Sequence, residues 1–264
     1  MNPEQINQII NGVNELRLSY GEKLNEITNA LNIHSKKING FVNWINIREL
    51  QIDLLKSYSD SKSQYFQDLF VLKVLEYKKN GFFVEFGACD GLAGSNTFIL
   101  EKKFGWNGIL AEPSRVWWDS IKKNRNVNID FRCVYSESNL TLDFSETSDA
   151  MLSTLTTHLN SDMHGETRIN NPLESYPVTT ISLNDLLAYY NAPLEIDYLS
   201  IDTEGTEYEI LKNFDFEKYK VKIITVEHNY KKDVRTNLFI LLSLNGYELC
   251  HFELTFGDDW YILK

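Results

Sequence analysis

Acidic side chains and a histidine stand at the ends of two short apolar runs. Asp202 ends the run Asp197–Asp202, and Glu227 and His228 end the run that starts at Val221. If both runs are neighbouring strands of a parallel sheet, these side chains meet at its carboxyl edge. Two carboxylates and an imidazole form a reasonable ligand set for Mg²⁺ or Mn²⁺. We therefore expect a metal site of Asp202, Glu227 and His228 that binds adjacent hydroxyl groups of a ligand and lowers their pKa.

The chemistry predicted for this edge is attack by a hydroxyl group. An alcohol is a poor nucleophile near neutral pH, so it needs a base or a metal ion. Beside a metal ion the base would be Glu204 or His228, whereas in a rival arrangement without metal His228 is the general base. Asp202, Glu204 and His228 are thus the predicted catalytic residues. A structural role is the alternative for Asp202, which could cap the helix that follows Gly205.

A glycine loop follows a third apolar run, Phe82–Phe86. The loop, Gly87-Ala88-Cys89-Asp90-Gly91, has a glycine at each end, which permits a tight turn and close approach to a ligand. It lacks the complete G-x-G-x-x-G pattern of dinucleotide-binding proteins. Together with Glu85 and Glu112 it suits a cationic ligand with an ammonium, a sulfonium and a ribose diol better than a pyrophosphate. Glu112 lies 25 residues after Gly87, where an acidic residue accepts hydrogen bonds from ribose hydroxyls in such folds.

Short apolar runs alternate with amphipathic stretches from about residue 58 onward, which indicates a mostly parallel sheet covered by helices on both faces. The fold class is therefore α/β, a doubly wound Rossmann-like sheet, and it ends in an antiparallel hairpin of Tyr247–Phe252 and Trp260–Leu263. The other predicted strands are Gly81–Gly87, Gly108–Glu112, Val127–Tyr135, Asp197–Asp202 and Val221–Glu227. The predicted helices are Asn96–Phe104, Ser114–Lys123, Leu183–Tyr189, Glu207–Phe214 and Arg235–Leu244.

The stretch 136–180 is too long for a simple link between a strand and a helix. We expect extra strands or a lid there, because insertions of this kind commonly shape a ligand pocket.

Residues 1–58 form a predicted helical segment that precedes the domain 59–264. Apolar residues from Ile6 to Leu31 recur every three or four positions, a heptad-like spacing. Such a helix either folds onto its own domain or pairs with a second subunit, so a homo-oligomer is one expectation.

The net charge of −11 lies entirely in residues 59–264, because the six acids and six bases of residues 1–58 cancel. An acidic body repels phosphate backbones, which argues against general nucleic-acid binding. No apolar run approaches the roughly 18 residues of a membrane span, and the N-terminus does not look like a secretory signal. Cys89, Cys133 and Cys250 are widely spaced, which fits a reducing compartment. We expect a cytoplasmic protein.

Several short motifs in one order and spacing resemble the FkbM family of methyltransferases over residues 59–264. They are Ser63–Asp68, Val84–Gly91, Ser95–Thr97, Phe104–Gly108, Glu112–Pro113, Ile201–Gly205 and Glu227–Asn229. The resemblance implies a class I methyltransferase fold, S-adenosylmethionine as the methyl donor, and a hydroxyl of a sugar or polyketide as the usual acceptor. One departure is Phe66, where the family commonly has glycine.

The resemblance also implies donor-binding residues. Glu85 and Gly87 should contact the methionine part of the donor, and the rest of the predicted set is Gln64, Ala88, Asp90, Ser95, Asn96, Glu112, Tyr135 and Ser136. Tyr135 and Ser136, at the end of the predicted third strand, should lie near the adenine.

The expected activity is S-adenosylmethionine-dependent O-methylation of a sugar or nucleotide-linked sugar, with surface-polysaccharide biosynthesis as one setting. Two alternatives stay open: N- or carboxyl-methylation of a small metabolite, and a non-catalytic module that keeps the fold and oligomerises through residues 1–58.

Overall fold

The computed structural model describes Lys23, Ser35 and residues 59–160, 163–250 and 255–264. The predictions for residues 1–58, namely the heptad-like helix and its role in oligomerisation, lie outside the described residues apart from Lys23 and Ser35, which are helical. No helix of the described part is long and apolar enough to cross a membrane.

A seven-stranded sheet forms the centre of the domain, in the order β10-β11-β9-β8-β1-β2-β3. Neighbouring strands from β9 to β3 are parallel, and β11 is antiparallel to both β9 and β10. This confirms the doubly wound sheet with a C-terminal antiparallel hairpin. The strands are β1 (Phe82–Phe86), β2 (Asn107–Ala111), β3 (Asn128–Asp130), β8 (Glu195–Ile201), β9 (Lys220–Glu227), β10 (Tyr247–Cys250) and β11 (Asp258–Leu263).

Helices connect the parallel strands and bury apolar side chains against the sheet. Alternate residues of β1 face opposite sides, so Val84 and Phe86 join one buried cluster while Glu85 points to the other face. Leu186, Leu211 and other residues of α5, α6 and α7 complete that cluster. The helices are α1 (Gln67–Val74), α2 (Phe98–Phe104), α3 (Trp118–Asn124), α4 (Gly165–Asn170), α5 (Leu183–Tyr189), α6 (Glu207–Leu211) and α7 (Lys232–Leu244).

The insertion predicted at 136–180 contributes most of a second sheet, as expected from its length. Its four strands have the order β4-β7-β5-β6. They are β4 (Cys133–Tyr135), β5 (Thr141–Thr147), β6 (Thr154–Leu155) and β7 (Pro172–Ser182), and α4 precedes β7.

The single strand predicted at Val127–Tyr135 is wrong, because the chain changes sheets within it. Asp130 accepts hydrogen bonds on Oδ1 from the backbone N–H of Arg132 at 2.8 Å and from its Nε at 3.0 Å. This side chain-to-backbone turn ends β3 after three residues, and the chain then enters β4 of the second sheet. Tyr135 and Ser136 therefore do not follow the third strand of the main sheet.

The backbone at Phe66 explains why glycine suits that position. Phe66 precedes α1 with a φ of 65°, in the left-handed region where glycine is favoured over residues with a Cβ. Phenylalanine adopts this conformation at a cost that glycine would avoid.

Candidate active site

Gly87 brings the loop after β1 against the end of β8. Its φ is +69°, and its N–H donates to the carbonyl of Ala111 at 3.1 Å. A Cβ built on Gly87 would lie 1.7 Å from the carbonyl oxygen of Asp202. Only glycine permits this approach, which places the glycine loop beside the acidic end of β8.

Glu85 precedes the glycine loop, and its carboxylate accepts hydrogen bonds from other residues of the protein. It is 3% exposed, and its Oε1 accepts the backbone N–H of Asn96 at 2.6 Å. Its Oε2 accepts the hydroxyls of Ser95 at 3.0 Å and Thr97 at 2.5 Å. Glu85 therefore fixes residues 95–97, so that its influence on a ligand would pass through that segment.

Arg125 joins the same network and was missed by sequence reasoning. Its side chain is fully buried; Nη1 donates to the Ser95 hydroxyl at 3.0 Å and to the Gly91 carbonyl at 3.2 Å, and Nη2 donates to Thr97 Oγ1 at 2.9 Å. Its Nε pairs with Glu101 Oε2 at 2.5 Å. Arginine at the end of an amphipathic helix usually reads as a surface charge, so the sequence contained no signal for this role.

Glu112 connects the loops that follow β1 and β2. Its Oε2 accepts the N–H of Cys89 and its Oε1 the N–H of Ser114, both at 2.8 Å. Burial raises the pKa of Glu112 to about 7. Asp90 has a similar local role, because its Oδ1 accepts the N–H groups of Leu92 and Ala93.

Three carboxylates meet at the carboxyl edge of the sheet. Each of Asp202, Glu204 and Glu227 offers an oxygen, and these oxygens all lie within 4.8 Å of one another. Asp202 follows β8 and Glu227 ends β9, which is the arrangement that parallel neighbouring strands predict. We call these three residues the acidic cluster.

The pKa values of Glu227 and Asp258 are raised above the ordinary range of carboxyl groups. Burial is the main cause of the raised pKa of Glu227, and the charges of Asp202 and Glu204 add to it. Its Oε2 is buried without a hydrogen-bond partner among the described residues. Burial and Asp202 raise the pKa of Asp258, which is paired with Glu227 in the β9–β11 register, to about 8. Acidic groups this close favour either a shared proton or a bound cation.

The stability of the domain should fall as pH rises from about 4 to about 8. Asp258 binds a proton in the folded state up to a pKa of about 8, whereas the unfolded chain loses it near 3.9. The folded state holds more protons across that interval, so the free energy of unfolding decreases with pH. Denaturant unfolding across this range should show a flatter profile for Asp258→Asn, which keeps an acceptor for the Gln67 side chain. The exposed Glu217→Gln is the control, and an unchanged slope in Asp258→Asn would contradict the assignment.

Arg168 of α4 links the insertion to the acidic cluster. Its Nη2 forms an ion pair with Glu204 Oε2, and its Nε and Nη1 donate to the carbonyls of Leu152 at 2.7 Å and Leu159 at 3.3 Å. The hydroxyl of Thr154 donates to the Glu204 carbonyl at 3.0 Å. Glu204 has a φ of 58°, so the insertion holds an unusual backbone conformation in place.

His228 lies outside the acidic cluster, and its role as a metal ligand with Asp202 and Glu227 stays a prediction. Its ring is buried; Nδ1 accepts the backbone N–H of Tyr230 at 3.1 Å, and Nε2 lies 3.6 Å from Asp259 Oδ1. Successive residues of an extended chain point to opposite sides, so His228 turns away where Glu227 turns in. Glu204 is the third member of the acidic cluster, and the role of His228 as a general base likewise stays a prediction.

The remaining predicted residues lie around these loops. Gln64 is exposed, and the neighbouring Tyr65 stacks on Phe256 with a centroid distance of 5.3 Å. Burial and the charge of Asp258 raise the pKa of Tyr65 above its usual value, which places this ring beside the acids. Tyr135 contacts His158 edge to face at 6.3 Å. Ser136 follows Tyr135 outside the main sheet, so the predicted approach of both to an adenine stays a prediction.

The glycine loop, Glu112, Asp202 and Glu227 all lie within the residues that one family model matches. The model of the methyltransferase FkbM domain matches residues 85–250 of the chain. The chain belongs to the FkbM methyltransferases. Its sheet is that of the class I methyltransferases, and the protein is a methyltransferase of the kind that uses S-adenosylmethionine.

Two solved structures were compared with this FkbM methyltransferase. One is the precorrin-6y C5,15-methyltransferase of Geobacter metallireducens, with 12% identity, a TM-score of 0.39, and 74% of this chain and 85% of that chain covered. The other is described as an RNA methyltransferase of Pyrococcus horikoshii, with 11% identity, a TM-score of 0.39, and 75% and 81% covered. A comparison with curated proteins finds no match. The family assignment rests on the domain match.

Proposed function

We propose that this protein is an O-methyltransferase that acts on a hydroxyl of a sugar or nucleotide-linked sugar. The observation that carries the proposal is the acidic cluster of Asp202, Glu204 and Glu227 beside Gly87. It provides hard oxygen ligands and proton acceptors next to the loop that approaches the methyl donor in this family. A hydroxyl acceptor needs both kinds of group more than an amine does, because a neutral amine is already a good nucleophile whereas an alcohol has to lose its proton as it attacks.

The described residues fit S-adenosylmethionine. Gly87 lets the loop after β1 lie against the backbone of Asp202, and Asn96 Oδ1 is a buried acceptor without a hydrogen-bond partner in the described structure. Two hydrogen bonds position Asn96. Its backbone N–H donates to Glu85 Oε1, and its Nδ2 donates to the Ser200 hydroxyl at 2.9 Å. Such an acceptor suits the ammonium of the donor's methionine part. The donor supplies an electrophilic methyl group on a positively charged sulfur.

The acidic cluster fits a divalent cation such as Mg²⁺ or Mn²⁺. Asp202, Glu204 and Glu227 offer carboxylate oxygens, and Glu227 Oε2 has no hydrogen-bond partner in the part of the chain that the structure describes. A cation held there would bind adjacent hydroxyls of the acceptor and lower the pKa of the reacting one.

The chain's own residues must also take up a proton. As the acceptor oxygen bonds to the methyl carbon and the carbon–sulfur bond breaks, the O–H proton passes to a carboxylate of the acidic cluster. Glu227 suits this role because burial and the charges of Asp202 and Glu204 raise its pKa above the ordinary value, which makes its carboxylate a stronger base. The other product is S-adenosylhomocysteine.

Nucleotide-linked sugars and a labelled donor test the proposal, with and without Mn²⁺ after exhaustive chelation. We expect turnover that depends on metal and that falls by a factor of about 10² or more in Glu227→Gln. Glu217→Gln, an exposed change, is the matched control. S-adenosylhomocysteine should raise the melting temperature of both variants, because the donor loops are untouched.

The outcomes separate the parts of the proposal. Full activity after chelation would refute the metal ion, and methylation of amines or carboxylates alone would refute the hydroxyl acceptor. A melting temperature that S-adenosylhomocysteine leaves unchanged would point to a non-catalytic scaffold.

A further inference from the structure

A cavity of about 420 Å³ lies at the free edge of the main sheet beside β3 and β7. Its volume is in the range of small-molecule sites, roughly 300 to 1,000 Å³. The side chains that matter are Arg115, Trp118, Asp130, Phe131, Arg132 and Tyr189, and we call this cavity the edge pocket. None of the predicted donor-binding residues and none of the acidic cluster lines it, so it is a separate site.

The edge pocket is basic within an acidic protein. The chain has a net charge of −11, yet this wall carries two arginines. Asp130 is the carboxylate in the wall, and both of its oxygens are held by Arg132, at 3.0 Å to Nε and 2.5 Å to Nη2. The guanidinium of Arg115 lies 3.9 Å from the centre of the Tyr176 ring, and the described structure gives it no carboxylate partner. One positive charge is therefore left for a ligand.

The Arg115 guanidinium and the Trp118 indole contribute hydrogen-bond donors to the wall. A guanidinium has five N–H groups and no acceptor. The indole Nε1 of Trp118 is buried with no hydrogen-bond partner among the described residues. A buried donor without a partner is uncommon and calls for a ligand or water that accepts from it. The wall thus favours an anion with several acceptor oxygens, as a phosphate has.

Aromatic rings complete the edge pocket. Trp118 and Phe131 are packed with their centroids 4.7 Å apart, and Arg132 lies over the Tyr189 ring at 4.6 Å. Flat rings beside arginines bind planar groups by stacking and by cation–π contact. Tyr189 is 64% exposed, so part of its ring is accessible to a planar ligand.

The edge pocket also shares a turn with Glu112. The backbone N–H of Ser114 donates to Glu112 Oε1, and that of the next residue, Arg115, donates to the Tyr176 hydroxyl at 3.0 Å. One short segment thus has the predicted ribose-binding acid on one side and the free arginine on the other.

We propose that the edge pocket binds a nucleoside diphosphate, with its phosphates on Arg115 and its base against the aromatic rings. The ligand could be free or part of a nucleotide-linked sugar, and both share this chemistry. The inference goes beyond the proposed methyl transfer and does not depend on it.

Calorimetric titration of the full chain with uridine diphosphate tests the edge pocket. S-adenosylhomocysteine at saturation fills the donor site throughout, so a nucleotide cannot bind there instead. The variants are Arg115→Ala, which removes the unpaired cation, and Trp118→Phe, which keeps a ring but deletes the N–H. Lys123→Ala is the control, because Lys123 is an exposed cation on α3 that does not line the pocket.

We expect saturable binding by the unaltered protein, a loss of affinity of about tenfold or more in Arg115→Ala, and a smaller loss in Trp118→Phe. Lys123→Ala should bind like the unaltered protein. No binding, or equal binding by Arg115→Ala and Lys123→Ala, would overturn the site. Inorganic phosphate that binds as tightly as the nucleotide would overturn the role of the rings. A uridine diphosphate-linked sugar that binds more tightly than the free nucleotide would support the linked form.

Discussion

Gly87→Ala is expected to abolish donor binding and to lower the free energy of unfolding by about 3 kcal/mol or more. The added Cβ would lie 1.7 Å from the carbonyl oxygen of Asp202, so the end of β1 or β8 has to move. Alanine also resists the φ of +69° that this turn requires, which costs about 1 to 2 kcal/mol by itself. Denaturant unfolding measures the loss of stability, and the shift in melting temperature with S-adenosylhomocysteine measures the loss of donor binding.

Gly94→Ala is the matched control for the backbone conformation. Gly94 has a φ of +75°, but the nearest atom to its Cβ would be Met151 Cε at 3.6 Å, an ordinary contact. This variant should lose about 1 to 2 kcal/mol and keep donor binding. The difference between the two variants therefore measures the close approach of the Gly87 loop to Asp202. Equal losses in both would show that the approach has no special importance.

The features that sequence analysis predicted are those encoded by local patterns. Alternating apolar runs specify the order of strands and helices, because a parallel sheet needs a helical crossover between its strands. The spacing from Gly87 to Glu112 follows from that order, since each residue ends one strand of adjacent strand–helix units. Asp202 and Glu227 meet for the same reason.

The features that it did not predict depend on side chains that turn or reach far along the chain. Asp130 accepts a hydrogen bond from the N–H of Arg132 where β3 ends, and the spacing of apolar residues does not predict this interaction. His228 lies one position from Glu227 and so faces the other side. Arg125 and Arg168 are buried through contacts with residues 24 to 36 positions away. Amphipathic patterns indicate a buried apolar face, but they do not indicate which charged residue is buried with a partner.

Arg168→Met is expected to lower the free energy of unfolding by about 3 to 5 kcal/mol, because it breaks a buried ion pair from one side. Glu204 would lose its arginine while still lying against Asp202 and Glu227, and the carbonyls of Leu152 and Leu159 would lose a donor. Turnover should fall strongly, since Glu204 then leaves its position or takes a proton. Donor binding should persist, because the network of Glu85 and Arg125 does not include Arg168. Denaturant unfolding, a turnover assay and the thermal shift with S-adenosylhomocysteine measure these three effects.

Arg168→Lys and a double variant distinguish the ion pair from simple packing. Lysine keeps the charge but cannot reach Glu204 and both carbonyls with one planar group, so its loss of stability should be intermediate. Arg168→Met combined with Glu204→Gln should be more stable than the sum of the two single losses, because the glutamine has no charge to leave unpaired. The neutral pair would nevertheless lack a carboxylate of the acidic cluster, so turnover should stay low even as stability returns. Strictly additive losses would contradict a direct coupling, and recovered turnover in the double variant would remove Glu204 from the chemistry. The ion pair thus ties the insertion to the acidic cluster, because Arg168 lies within residues 136–180 and contacts Glu204 beside Asp202 and Glu227.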